Sequence, residues 1–283
     1  MSDKEYWDIV VRPKASFFRL NLKEIWQYKD LILLMAKRDI VANYKQTLLG
    51  PLWLVIQPVF TTAVYTFTFS YSARLSTDGI PPVLFYIMGL TFWNYFADCL
   101  SKTSNTFIAN SSIFGKVYFP RLVMPVSVVL SNLFKLLVQV CLLLCIYLYF
   151  YFSTTALHPQ PKYFILLPLL VLLLGMFGLC LGILISSFTT KYRDFNFMIG
   201  FFIQLLMFAS CVVFPMSMYG EAMKKYFLFN PVALYLESIK FILTGNGTLS
   251  FAHLLIDSVM VIFVFAFSVF SFNKTERTFM DTV

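Results

Sequence analysis

Apolar residues run through this chain in long stretches, and the charges fall in blocks between them. Uncharged segments cover Pro51 to Ala73, Tyr163 to Thr190, Phe195 to Gly220 and Ser258 to Asn273. A helix rises about 1.5 Å per residue, so roughly 20 apolar residues cross a hydrocarbon core of about 30 Å. The pattern predicts an all-α membrane protein with six transmembrane helices, over 51–73, 83–104, 122–152, 163–190, 196–219 and 252–273; Lys135 interrupts the third. Residues 21–44 are too polar to cross. There Leu22, Ile25, Trp26, Ile32, Leu33, Ala36 and Ile40 recur at helical spacing opposite Lys23, Lys29, Lys37 and Arg38, behind a capping-box pattern of Asn21 and Glu24. That predicts an amphipathic helix in the membrane interface, anchored by Trp26 and Tyr28. Between Glu221 and Ser250 the apolar chain is broken by Asn230-Pro231 and Gly245-Asn246-Gly247, and residues 232–243 are too short to span. This segment reads as short re-entrant helices before the last span or as an interfacial loop.

Composition sharpens the class. Of 283 residues, 59% are hydrophobic, 19% aromatic and 13% charged, and the mean hydropathy is +0.76. Soluble chains average roughly 45 to 50% apolar and about 25% charged, so a water-soluble globule is excluded. The net charge of +8 raises a nucleic-acid question that the distribution of the charges answers. With the N-terminus inside, sixteen basic residues lie on the inner face and five, Arg74, Lys162, Lys224, Lys225 and Lys240, on the outer. That asymmetry predicts both termini in the cytosol and no nucleic-acid partner. The organisation is then a cytosolic tail over 1–20, the interfacial helix over 21–44, a six-helix domain over 45–275 and a cytosolic tail over 276–283. The first 30 residues are polar and carry both signs of charge, unlike a cleavable signal peptide.

Catalytic chemistry is not legible. No phosphate loop, dinucleotide fingerprint, nucleophile elbow or paired-carboxylate arrangement occurs, and His158 and His253 stand isolated. Cys99, Cys141, Cys145, Cys180 and Cys211 lie in apolar segments without metal-ligand spacing. The chain is expected to have no catalytic residues and to bind neither cofactor nor metal. It must conduct passively, use an ion gradient or borrow energy from a partner. Ionisable groups inside the membrane cost roughly 2.5 to 3.5 kcal/mol each on insertion scales; the candidates are Asp98, Lys135 and Asp257. Only Lys135 is deep, and a pair with Asp98 on the neighbouring helix would explain it.

A set of strings in register then narrows the reading. Arg38-Asp39-Ile40, Tyr44-Lys45-Gln46-Thr47-Leu48-Leu49-Gly50-Pro51-Leu52-Trp53, Gln57-Pro58, Gly89-Leu90, Trp93-Asn94 and Lys116-Val117-Tyr118-Phe119-Pro120-Arg121 are followed by Tyr192-Arg193-Asp194-Phe195, Gln204, Met207-Phe208-Ala209-Ser210, Asn230-Pro231, Glu237 and Lys240. Over residues 30 to 275 this order resembles the membrane (permease) subunits of type-2 ABC exporters for O-antigen and teichoic-acid polysaccharides. The chain departs from that pattern at Thr91-Phe92, where a leucine-proline pair is usual, at Gly200 and Cys211, where prolines are common, and at Lys135, where an acid is expected.

The resemblance implies a homodimeric pore in the cytoplasmic (inner) membrane, driven by two separate ATPase subunits that hold the ATP and magnesium, and exporting a lipid-diphosphate-linked polysaccharide. Teichoic acid, capsular polysaccharide, a small lipid or a drug are the alternative cargoes. It also implies that residues 110–120 are a coupling helix held by the ATPase, with Ser111, Ser112, Phe114, Lys116, Tyr118 and Arg121 as docking candidates, although positive-inside topology alone accounts for Lys116 and Arg121. The helix over 21–44 would be a gate, with Lys37, Arg38, Asp39 and Lys45 at the inner mouth, near an anionic headgroup. Tyr65, Phe69, Phe201 and Phe208 are the pathway candidates. Tyr147, Tyr149, Phe150, Tyr151 and Phe152 read as a headgroup belt. Asp98, Lys135, Arg193 and Asp194 are the structural polar positions.

Overall fold

The computed structural model describes residues 22–45, 47–114, 116–117, 119–155, 157–189 and 194–282, and the side chains of all these but 22–24, 43, 111, 196, 221–222 and 273–282. The N-terminal tail over 1–20 and Asn21 of the capping-box pattern lie outside the described residues. Every regular element among the described residues is helical. In chain order these are α1 (Leu22–Gln27), α2 (Lys29–Tyr44), α3 (Trp53–Tyr65), α4 (Pro82–Ser104), α5 (Thr106–Ala109), α6 (Ser111–Phe114), α7 (Val123–Ser153), α8 (Leu166–Thr189), α9 (Phe195–Phe208), α10 (Glu221–Leu228), α11 (Pro231–Thr244) and α12 (Phe251–Thr282). Among the described residues, five helical stretches are long and apolar enough to cross a membrane: Gly50–Ser72, Pro82–Ser104, Val123–Ser153, Leu166–Thr189 and Phe251–Phe272.

The stretch expected as one helix over 196–219 is the main departure. Its helix, α9, has 14 residues, about 21 Å at 1.5 Å per residue and short of a hydrocarbon core. Cys211 adopts a left-handed backbone with φ 54°, which a helix cannot continue through. Side chains from elsewhere take the carbonyls of this turn: Asn230 Nδ2 donates to the Ala209 carbonyl at 2.8 Å and Lys240 Nζ to the Cys211 carbonyl at 2.8 Å. Apolar content alone does not reveal such a turn. At the other end of the chain α12 runs on to Thr282, past the boundary expected at 273.

The bundle is organised around α4. In its most apolar window 78% of residues are buried, against 22% in Gly50–Ser72 and in α7. The closeness of α4 and α8 has a local cause. Gly175, Gly178 and Gly182 repeat along one face of α8, and a Cβ added at Gly178 would sit 3.0 Å from Cys99 Cβ, or at Gly182 2.5 Å from Thr103 Cβ. Small residues let helix backbones approach where lipid supplies no hydrophobic drive between helices. The contact is completed by the stacked rings of Phe96 and Phe177, 5.8 Å apart, and by Thr189 Oγ1 donating to the Ser104 carbonyl at 3.0 Å.

The remaining elements pack around this pair. A 3₁₀ turn over Gly50–Leu52 leads into α3, with Gly50 at φ 51° and Pro51 at the helix start, where its fixed φ suits the first turn. The last two turns of the same helix, Thr66–Ser72, are π-helical, with the Ala73 amide reaching the Thr68 carbonyl at 3.0 Å. The N-terminal helix α2 is docked along the first half of α7: Ile32 and Ala36 are buried, Ile32 among Val123, Met124 and Phe119. The helix expected over 21–44 is two, α1 and α2, parted by a turn at Tyr28, and its apolar stripe is divided, since Trp26 of α1 and Leu33 of α2 are exposed. In α11 every residue from Pro231 to Lys240 is buried, with Asn230 accepting from the Val232 amide as N-cap and Gly245 at φ 78° as C-cap.

Replacing Gly182 with leucine should push α4 and α8 apart. Overpacking costs about 1 to 3 kcal/mol, so the thermal midpoint of the purified protein in lipid nanodiscs should fall by several degrees. Gly200→Ala, at a position with open space around it, should leave that midpoint unchanged.

Candidate functional site

Where α4 ends, its last carbonyls need partners that a helix cannot supply to itself, and the polar residues that follow supply them. Asn105 Nδ2 donates to the Ser101 carbonyl at 3.2 Å, Thr106 Oγ1 to Lys102 at 2.9 Å and Asn110 Nδ2 to Thr106 at 2.9 Å. These residues floor a polar cleft of about 450 Å³ between α2, the α4–α5 corner and α7, walled by Arg38, Asp39, Lys102 and Ser131. Arg38 donates to Asp39 Oδ1 from Nε at 3.0 Å and from Nη2 at 2.8 Å, and reaches Asn110 Oδ1 at 3.2 Å. Lys102 donates to the neutral Asn132 amide oxygen at 2.9 Å, and Asn132 in turn donates to Cys99 Sγ at 3.8 Å. The cleft thus holds two cations and one carboxylate, an excess of positive charge bounded by hydroxyls and amides. That chemistry suits phosphate-type oxygens.

One turn deeper, Lys135 of α7 is joined to Asp98 of α4 at 2.7 Å, both about a quarter exposed. Tyr44, at the end of α2, stands beside this pair. Burial raises its phenol above the ordinary range, while Lys135 pulls it back and Asp98 adds to the rise. The pair ties α4 to α7, with the end of α2 within reach of its field.

Of the inner-mouth candidates, Arg38 and Asp39 wall the cleft; Lys37 and Lys45 are exposed outside its lining. The docking candidates divide as well. Phe114 is buried in an aromatic knot, its ring 5.8 Å from Phe107 and 5.5 Å from Phe119, with the ring of Phe272 of α12 tilted against Phe107 at 5.4 Å. Arg121 lies over the Phe114 ring at 6.0 Å. Ser112 and Lys116 are exposed, together with Val117. Phe114 is thus the anchor of this corner, and Ser112 and Lys116 are its accessible surface. Tyr118, Arg193 and the side chain of Ser111 lie outside the described residues.

The pathway candidates separate in a similar way. Tyr65 and Phe69 pack inward, 6.2 and 6.3 Å from the Tyr86 ring, and Tyr65 also contacts Met207 Sδ at 3.7 Å. Phe201 and Phe208 lie on the exposed side of α9, as Asp194 is exposed at its start. In the belt cluster Tyr147 turns inward to donate to the Leu243 carbonyl at 2.8 Å, whereas Tyr149, Tyr151 and Phe152 are exposed.

The sequence marks Lys102 only as a topological charge, although Asn132 faces it from α7. Glu237 and Lys240 stand in the family-like strings, but their pairing is not read there: Lys240 is buried with Glu237 at 3.0 Å and sits 4.1 Å over the Phe85 ring. The i, i+3 spacing of this acid and base is the available signal.

A transmembrane helical bundle with a polar, positively charged cleft at one end and an aromatic-anchored corner beside it is the build of a transporter's membrane subunit. Residues 30–244 match the profile of the ABC-2 type transporter family, and the chain belongs to it. Relatives include the O-antigen export system permease protein RfbA of Klebsiella pneumoniae, 26% identical over 252 residues that cover 89% of this chain and 94% of that protein. A second RfbA from Klebsiella pneumoniae is 24% identical over the same shares. The RfbA of Myxococcus xanthus is 26% identical over 197 residues, 69% of this chain and 72% of that protein. Members of this family are transport subunits that work with ATPase subunits.

Reversing one charge of the Asp98–Lys135 pair tests its role. Asp98→Lys should lower folded yield and thermal midpoint, and Asp98→Lys combined with Lys135→Asp should restore much of the loss. A double-mutant cycle should return a coupling of about 1 to 3 kcal/mol.

Proposed function

We propose that this chain is the permease subunit of an ATP-driven exporter that moves a lipid-diphosphate-linked, O-antigen-like polysaccharide across the cytoplasmic membrane. The observation that carries the reading is that relatives aligned over nearly nine-tenths of the chain are O-antigen export permeases. Two copies form the pore, and two separate ATPase subunits hold ATP and magnesium. Both termini lie in the cytosol, so that the cleft of Arg38 and Lys102 opens at the inner mouth and the 105–121 corner meets the motor. α10 and α11 are the short re-entrant helices on the outer side.

The cleft gives the lipid diphosphate its first purchase. Arg38 is already oriented by Asp39 and Asn110, so less side-chain freedom is lost when a phosphate oxygen takes up its remaining N–H groups. Lys102 carries a charge that its amide partner does not neutralise. Lys37 and Lys45 add a diffuse positive field at the membrane surface. The polysaccharide follows the headgroup along aromatic side chains, and the ATPase acts through Ser112 and Lys116 on a corner made stiff by Phe107, Phe114 and Phe119.

Deletion of the gene should remove the surface polysaccharide. A wild-type glycan profile, with altered sensitivity to a toxic compound, would instead assign the chain to small-lipid or drug export. Lys102→Met should lower export about ten- to a hundred-fold, the equivalent of one charged hydrogen bond of about 1.5 to 3 kcal/mol, while ATPase co-purification is retained. Lys116→Glu should do the reverse and abolish recovery of the ATPase with the permease.

A further inference from the structure

Among the described residues, one fully buried carboxyl, that of Asp257, makes no hydrogen bond. Asp257 is the seventh residue of α12, about 9 Å from its start at 1.5 Å per residue, and is fully buried, with neither carboxylate oxygen engaged in a hydrogen bond. Facing it from α11 is Tyr235, likewise fully buried, whose hydroxyl also lacks a partner. The two stand close enough for the carboxyl's field to reach the phenol. The next residue, Ser258, lies beside the same phenol, and its own hydroxyl donates to the Leu254 carbonyl at 2.7 Å.

The other ionisable groups around this seat are committed or distant in character. On α11, Lys240 is held by Glu237, by the Cys211 carbonyl and by the Phe85 ring. On α12, His253 lies one turn before Asp257 and pairs with Ser250 Oγ at 2.8 Å, its ring against Phe229. The packed face of α8 carries no acidic or basic residue, Cys180 being its one titratable group. An ionised carboxylate buried without a counter-charge costs several kcal/mol, and proteins meet that cost by neutralising the group.

We propose that Asp257 is a proton-binding site: it holds a proton while α11 is seated against α12 and releases it only when that seat opens to water. The neutral acid is both a donor and an acceptor, and so can pair with the Tyr235 hydroxyl, leaving two otherwise orphaned groups satisfied by one proton. The linkage has a definite sign. The seated form binds the proton more tightly than the opened form, so seating is favoured at low pH and weakens as pH rises above the ordinary carboxyl range. Opening of α11 is therefore accompanied by proton release, and closing by uptake. This inference does not depend on the identity of the cargo.

Infrared spectroscopy of the full-length protein in lipid nanodiscs reads the proton directly. At neutral pH the wild type should show the carbonyl stretch of a protonated carboxyl, absent from Asp257→Asn. Identical spectra for the two would overturn the proposal, and so would loss of the band on adding sodium chloride, which would make the occupant a cation. If Asp257→Asn does not fold, wild-type protein with isotope-labelled aspartate carboxyls serves instead: the band must shift with the label, and an unshifted band refutes the assignment. Hydrogen exchange of α11, corrected for the intrinsic pH dependence of exchange, should accelerate from neutral to alkaline pH in the wild type and stay flat in Asp257→Asn. Equal slopes would sink the coupling to α11.

Discussion

The approach of α4 to the glycine face of α8 is the constraint on which the rest of the bundle depends. Lipid offers apolar side chains as good an environment as a neighbouring helix does, so association must come from close packing and from polar contacts made in the same step. Gly178 and Gly182 remove the side chains that would hold the backbones apart, and Thr189 and Phe177 then find partners on α4. Once α4 is central, its lower end fixes the cleft, Asp98 is placed to meet Lys135, and its upper half presents Phe85 to Lys240. The functional groups are spread over α2, α4, α7 and α11, and α4 is the element they share.

The bundle handles its charges in four different ways. Lys135 and Asp98 form a half-shielded pair that keeps some access to polar surroundings. Lys240 and Glu237 form a buried pair, and a carbonyl and an aromatic face take up what the carboxylate leaves unsatisfied. Lys102 is solvated by an amide, which supports the ammonium without cancelling it. Asp257 has no such support, and its neutralisation is chemical. Buried ion pairs are weak contributors to stability because desolvation offsets most of their attraction; the value of these arrangements lies in fixing which helix faces meet.

Much of this was legible in the sequence. Long apolar stretches with few charges identify the five membrane-length helices, because crossing lipid makes charge costly over about 20 consecutive residues, a constraint written directly in composition. The link between Lys135 and Asp98 followed from the cost of a lone lysine in lipid. The family was legible because several short strings stand in register, each one weak alone. What escaped was set by contacts between segments distant in the chain. Nothing local in Phe195 to Gly220 says that Cys211 turns left-handed, since the groups that stabilise the turn are Asn230 and Lys240. The hydrophobic spacing of residues 22–40 describes a helix with one wet face, but α2 divides its apolar residues between α7 and the outside. Phe114 read as part of a docking surface because sequence alone does not show Phe107, Phe119 and Phe272 closing around it.

The π-helical end of α3 gives that helix a property that its length and composition do not express. A π turn accommodates one residue more than an α turn over nearly the same height. If the turn at Thr66–Ser72 relaxed to α-helical bonding, every residue beyond it would rotate by about 100° about the axis, with only a small change in the helix's reach. Residues within the turn would rotate by part of that angle, Phe69, now packed on Tyr86, by less than the exposed Tyr71 further along. The π-helical end that follows α3 thus holds about one residue's worth of rotation that a helix of uniform α bonding over the same height would lack.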